Sequence, residues 1–397
     1  MRKSGLLKFS LLSISLVLTS AGAISASIPL MLEKFTERSV ASVELLVTVP
    51  AAAVVIFVLL SSFISSKIGE KQTVILGLLV ALISGVIPIF SDNYAIVFAS
   101  RLGLGAGFGL FNSLAVSLIG KFYTGDERAK LIGFQSAFQG LGSAAMTFVA
   151  GQLLNFGWQA SFSVYLIIVP ILVLFFLFVP KPDNENGDTE QIGNKGSSKT
   201  NFKVIGLSIF LFCMIIVYNA VSLKLPLYVT ENHISTASMT GTVLSFMQLA
   251  SMFTGFVFGA IYKKIHRFTL PASLIVMGIS YILILLFHNI FLIGLGAIIT
   301  GISFSLFVPY LFNQVNVVSP VGSETFNTSI LIVGANVGGT VAPYGLSILS
   351  KLVPVGDINS SIYASCAIIL CVIGGIGTLI AAKKSSTRKK ELFHENI

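Results

Sequence analysis

Charge is scarce in this chain. Of 397 residues only 10% are Asp, Glu, Lys or Arg, against 54% hydrophobic residues, and the mean hydropathy is +0.91. A soluble domain carries about a quarter charged residues, so there is too little charge to cover a soluble globule of this length. Cysteine is scarce as well. Cys213, Cys366 and Cys371 lie inside apolar runs and form no C-x-x-C pair, which argues against a disulfide scaffold or a zinc site. His233, His266, His288 and His394 fall between runs or in the tail without H-x-x-x-H spacing, and are read as solvated. The net charge of +9 is scattered through short loops and builds no basic face, so nucleic acid is not an expected partner. No Ser/His/Asp or Cys/His constellation is visible, and the stretch from Gly193 to Thr200 lacks the spacing of a phosphate-binding loop. Neither an enzyme nor an ATP-driven machine is expected. The expected energy source is an ion gradient, a proton gradient being suspected, with no cofactor and no metal.

What is abundant is apolar run. A helix crossing a bilayer needs about 20 mostly apolar residues, because its backbone groups must bond within the segment. Windows of that length predict twelve spans: 7–31, 43–64, 73–90, 94–119, 131–154, 162–179, 204–229, 236–262, 268–287, 290–315, 326–350 and 360–382. The start, Arg2-Lys3 with Ala23-Ile24-Ser25-Ala26 after an apolar run, imitates a signal peptide. The run continues to Met31, and its removal would leave an odd number of spans, so it is read as the first span. With the N-terminus inside, twenty of the 25 Lys and Arg fall in cytoplasmic segments and only Lys34, Arg38 and Lys351 in outer loops. The positive-inside rule therefore places both termini in the cytoplasm of a multi-pass cell-membrane protein, expected to be a monomer in the bilayer.

The one long polar stretch, rich in Asn, Gly, Ser and charge, divides the chain into a first bundle over 1–179, a flexible linker over 180–203, a second bundle over 204–383 and a tail over 384–397. The halves repeat at an offset of about 197 residues. Pro29-Leu30 corresponds to Pro226-Leu227, and Lys67-Ile68 to Lys264-Ile265. Gly105, Phe108, Leu110 and Phe111 correspond to Gly301, Phe304, Leu306 and Phe307. The predicted fold class is thus all-α: twelve transmembrane helices in two pseudo-symmetric six-helix bundles. Parallel duplicated halves are one architecture of secondary transporters, which bind substrate near the midplane between them.

Polar residues are sorted by span. Spans 3, 6, 9 and 12 hold no amide and no charge. Spans 4, 5, 7, 8, 10 and 11 hold Arg101, Asn112, Gln135, Gln139, Asn219, Lys224, Gln248, Asn313, Gln314 and Asn336. Polar groups in a bilayer are costly unless they face a partner or water. The sorting predicts that every third helix faces lipid while the others enclose a polar cavity; the competing reading has the amides as interhelical glue.

The loop Ser62-Phe63-Ile64-Ser65-Ser66-Lys67-Ile68-Gly69-Glu70-Lys71 resembles the signature G-x-x-x-D-R-x-G-R-K of the major facilitator superfamily. Lys67, Gly69 and Lys71 agree, while Ser62, Ser66 and Glu70 depart from it. In that family the Asp, here Ser66, helps to latch the cytoplasmic side. Arg101-Leu102-Gly103-Leu104-Gly105-Ala106-Gly107 is similar to the family's R-x-x-Q-G-x-G, with Leu104 in place of the amide. Gly140-Leu141-Gly142 through Gly151 to Gly157-Trp158 looks like the fifth-span motif of drug–proton antiporters, with Met146-Thr147 where those have Gly-Pro. The resemblance covers the whole chain and implies the twelve-span fold, alternating access, and conformational roles for Lys67, Gly69, Lys71, Gly105, Gly107, Gly140, Gly142 and Gly151. It further suggests that Arg101 serves proton coupling or substrate binding.

For Arg101 the bland alternative is a satisfied interhelical hydrogen bond. Lys224, near the outer end of span 7, either attracts an anionic group or snorkels to the interface. Glu44, in the first turn of span 2, is the sole candidate proton carrier and is expected to be solvated at the outer surface. The expected substrate and coupling residues are Arg101, Gln139, Asn219, Lys224, Gln248 and Asn336, and the expected partner is a small organic solute. Proton-linked efflux of drug-like or amphiphilic compounds is the leading expectation, chiefly on the resemblance. Uptake or exchange of an organic anion, motivated by Arg101 and Lys224, is the alternative, and a non-transporting sensor the third.

Overall fold

The computed structural model describes residues 5–181 and 199–394. Most of the expected linker, 182–198, lies outside the described residues, as do 1–4 and the tail's last residues, 395–397. The described residues hold helices and no strand. In the first half these are α1 (Gly5–Ser13), α2 (Ile28–Lys34), α3 (Val40–Ile68), α4 (Glu70–Val86), α5 (Tyr94–Phe122), α6 (Gly125–Leu153) and α7 (Ile168–Phe178). The second half has α8 (Phe202–Glu231), α9 (Ala237–Ile265), α10 (Thr269–Leu286), α11 (Ile290–Val318), α12 (Glu324–Leu349) and α13 (Ile358–His394).

Short polar side chains set where helices begin. Ser39, Asn93, Asn201, Thr236 and Asn289 each accept a backbone N–H of the first turn, at the starts of α3, α5, α8, α9 and α11. A helix of 29 residues, the length of α3, α5, α6, α9 and α11, is about 44 Å long and crosses a bilayer with some tilt. The first span is not the single run expected. It breaks between α1 and α2 into three 3₁₀ turns, bending by 48°. Serines explain the break: Ser13, Ser20 and Ser27 donate their hydroxyls to carbonyls three residues back, and Pro29 withholds a backbone donor. The sixth span likewise opens as a 3₁₀ stretch, Gln159–Ile167, before α7.

Nine helical stretches among the described residues are long and apolar enough to cross a membrane, ten with the bent first span. The remaining two of the twelve have plain causes. Ala237–Leu286 contains both α9 and α10, separated at His266–Phe268 where His266 takes φ +41. Helix α6 is long enough, but Gln135, Gln139, Gln152 and its glycines and serines keep even its uncharged stretch polar for a span.

Within the first half α5 packs between α3 and α4; within the second α8 packs on α12, α11 on α9, and α10 on α13. Helices α4, α7, α10 and α13, which carry predicted spans 3, 6, 9 and 12, expose Ile83, Leu177, Ile279 and Leu379 as a membrane-facing surface should. The sequence repeat has a structural echo. A Cβ on Gly105 would collide with the Pro50 carbonyl, and one on Gly301 with the Met247 carbonyl, so the same close helix crossing recurs in each half. Tyr165 and Tyr363, another such pair, direct their hydroxyls to carbonyls of the first span (Ser20) and of α8 (Ala220).

Candidate functional site between the two halves

The halves meet along two seams, α6 on α9 and α3 on α12. Successive spans alternate in direction, so an even number puts both chain ends on one face; the opposite face is called distal below. Polar ties cross the seams in the distal part of the helices. Thr48 donates to the Thr340 carbonyl at 3.0 Å, Gln152 to Thr242 at 3.1 Å, and Ser245 to the Ala144 carbonyl at 2.8 Å. Toward the terminal face nothing packs within 4 Å of where Gly133, Gly255 or Gly259 would carry a Cβ, and Phe63, Phe134 and Phe256 are exposed. The molecule is closed on the distal side and parted on the other.

Arg101 does not reach into this seam. It is 1% exposed. Its Nε donates to the Leu46 carbonyl at 2.7 Å, Nη1 to the Tyr165 hydroxyl at 3.0 Å, and Nη2 to the Ala21 carbonyl. The rings of Phe162 and Tyr165 lie 5.9 and 5.7 Å from the guanidinium. Ala21 sits at the break in the first span, where 3₁₀ geometry leaves carbonyls without α-helical partners. The guanidinium supplies the missing donors and ties the broken span to α3 and to the sixth span. In this conformation Arg101 occupies the place the interhelical alternative assigned to it.

Lys224 neither snorkels nor stands free. Its Nζ lies 2.6 Å from Glu44 Oε1, and the two side chains are 4% and 0% exposed. The expectation that Glu44 would be solvated is corrected: α3 packs on α12 of the second half, and its face carrying Val43, Glu44 and Val47 is buried there. Glu44 Oε2 has no hydrogen-bond partner. A charge on α3 and one on α8 thus join the halves near the distal end of the seam.

The expected amides lie at one depth. Gln139, Gln248, Asn219 and Asn336 stand near the middle of α6, α9, α8 and α12, each partly exposed. Asn219 and Asn336 donate to carbonyls of their own helices, Ile215 at 2.8 Å and Ile332 at 2.9 Å. The Gln139 carbonyl accepts from Thr19 at 3.1 Å. At mid-depth the seam therefore offers amide dipoles, while the charges of α6 and α9, among them Glu127, Lys130, Lys263 and Lys264, stand at the helix ends toward the termini.

The motif residues divide by role. Gly69, at φ +88, ends α3 and starts α4, a conformation that favours glycine. Lys67 stacks 4.2 Å from the Phe63 ring, and Lys71 donates to the Phe176 carbonyl at 2.9 Å, so both bind within their own half. Glu70, where the signature has a basic residue, pairs with Lys121 at 3.1 Å. Gly107 admits α4 closely, and Gly142 admits the broken first span, where a Cβ would collide with the Leu16 carbonyl. Gly140 abuts Met252, and Gly151 meets Gly241 backbone to backbone, so this pair of glycines forms the α6–α9 contact between halves.

Sequence reasoning missed the tie between Thr48 and Thr340, the partnership of Glu44 with Lys224, and Tyr165 as a holder of Arg101. One signal was available: a lone acid and a lone base, each near the same predicted face, on spans that the repeat places in opposite halves.

The model for the Major Facilitator Superfamily matches residues 10–343 and 207–394, and the chain belongs to that superfamily. Membership of that superfamily makes it a membrane transporter and not an enzyme. It is 27% identical over 303 residues to the multidrug efflux protein YfmO of Bacillus subtilis, covering 73% of each chain. It is 23% identical over 215 residues to the riboflavin transporter RibZ of Clostridioides difficile, a match spanning 48% of this chain and 46%, about half, of that one. A crystal structure of a mutant of the nucleoside transporter NupG superposes with a TM-score of 0.74 at 12% identity, over 94% of this chain and 99% of that one, which shows the shared twelve-helix fold.

Proposed function

We propose that this protein exports amphiphilic, drug-like organic solutes from the cytoplasm across the cell membrane in exchange for protons, by alternating access. The observation that carries the reading is the one-sided seam: halves tied at the distal face and parted toward the termini, with uncharged amides at mid-depth. Given cytoplasmic termini, supported by the bias of basic residues, this is a carrier open to the inside. Amides and apolar walls suit a neutral or weakly charged amphiphile. The organic-anion alternative loses its motivation, since Arg101 and Lys224 are both fully engaged. Similarity to a multidrug efflux protein supports export.

The test is flux from proteoliposomes loaded with a fluorescent amphiphile under an imposed pH gradient. Efflux should follow the gradient, and replacing Asn219 and Gln248 together by Leu should lower it at least tenfold. Flux unchanged on collapsing the gradient would refute proton coupling; flux unchanged in the double variant would refute the amide site.

A further inference from the structure

We propose that Glu44 is a proton-binding site reached from the distal side, and that Lys224 converts protonation there into opening of that side. The proposal rests on the carrier reading above and adds a distal pH switch to it, separate from the exchanged proton, because a protonated Glu44 holds the distal side open and cannot carry its proton inward. The two charges belong to opposite halves, Glu44 on α3 and Lys224 on α8, at 2.6 Å and out of water. Such a pair forms only when the halves close, and it holds them closed only while both members are charged. When the distal side parts, water reaches both side chains, and Oε2, which lacks a hydrogen-bond partner in the closed form, is free to take a proton. The proton adds to the carboxylate oxygen, Glu44 becomes a neutral acid, and Lys224 keeps its charge. Closing would then bury an ammonium without its counter-charge, which strongly disfavours that state.

No neighbouring group can replace Glu44. On α5, Arg101 is committed to Leu46, Ala21 and Tyr165, and Tyr94 donates to the Ser42 carbonyl at 2.8 Å. On α2, Lys34 pairs with Asp92 and Glu33 is exposed. Helix α12 brings Tyr344, which is exposed, and α4 has its charges, Glu70 and Lys71, at the opposite end. On α8, Glu231 lies within electrostatic reach of Lys224 but accepts from Asn359 at 2.7 Å, and Tyr228 points to the Leu285 carbonyl. On α13, Tyr363 senses Glu44 but turns its hydroxyl to the Ala220 carbonyl, and nearby Asp357 holds Ser360.

The test is a distance measurement between spin labels at Thr36→Cys and Lys351→Cys, on exposed loops of the two halves, with the native cysteines replaced by serine and the full chain in lipid nanodiscs. In the otherwise wild-type protein, lowering the pH from 8 to 5 should move population from the short to the long distance. Glu44→Gln should shift the open-to-closed ratio on the order of a hundredfold toward open and abolish the pH response. Glu44→Gln combined with Lys224→Met, a neutral pair, should restore closure at every pH, which separates an opened gate from a misfolded protein. Distances independent of pH in the wild type, or closure retained in Glu44→Gln, would overturn the proposal. The measurement uses no cargo, so a gate that responds in a protein that exports nothing would refute the function proposed above and leave the gate standing.

Discussion

Removing the Arg101 guanidinium separates a structural tie from a cargo contact. Arg101→Ala deletes three hydrogen bonds, to Leu46, Tyr165 and Ala21, which hold the broken first span, α3 and the sixth span together. Bonds to a charged group contribute about 1.5–3 kcal/mol each, while taking a cation out of the membrane interior returns about 3 kcal/mol. The net loss is about 1.5–6 kcal/mol, which for a bundle of under 200 residues lowers Tm by roughly 3–24 °C. Arg101→Lys keeps the charge, yet one ammonium cannot span three acceptors on three segments, so most of the loss should remain. The single tryptophan suits the assay, because Trp158 is buried and packs 5.9 Å from Phe162, whose ring flanks the guanidinium. Its fluorescence on heating purified protein reports this region directly. An Arg101→Ala protein with wild-type Tm that no longer binds cargo would refute the structural reading and return Arg101 to the cargo site.

Gly151→Leu should lower transport at least tenfold and lengthen the distance between the labelled distal loops, since even its Cβ would stand 2.9 Å from the Gly241 Cα; unchanged flux would mean that this contact is dispensable. A pH effect is expected at the distal loop, outside the membrane spans. The Lys34 ammonium, bonded at 2.8 Å, holds the Asp92 carboxyl below the usual carboxylate range, and Gln159, bonded at 2.7 Å, assists. A lowered folded-state value stabilises at pH above the ordinary one, near 4, and that contribution disappears as pH falls through the lowered one. Asp92→Asn should therefore cost a little stability at neutral pH and progressively less as the pH falls below about 4, and a Tm difference that does not shrink on acidification would contradict the assignment.

Much of the fold was legible in the sequence, and for one reason. In a bilayer the backbone must satisfy itself, so span length and apolarity write the helices directly, and the helices of spans 3, 6, 9 and 12 do expose apolar side chains outward. What broke the pattern was local chemistry. Serines competing for carbonyls bent the first span, which a hydropathy window reads as continuous. The site was legible only in its uncharged part. The mid-depth amides can be placed by counting along helices, but a charge's partner depends on which helices touch across nearly 200 residues of chain.

The sequence alone determined that this is a twelve-span duplicated carrier, because composition, periodicity and an internal repeat are properties of the chain itself. Only the tertiary structure decided what the charges do. Arg101 and Lys224 look alike as isolated cations in apolar runs, yet one is spent on carbonyls released by a bent helix and the other on an acid from the opposite half. The physical reason is that burying a charge requires a partner at hydrogen-bond distance, and that distance exists only after the helices have packed.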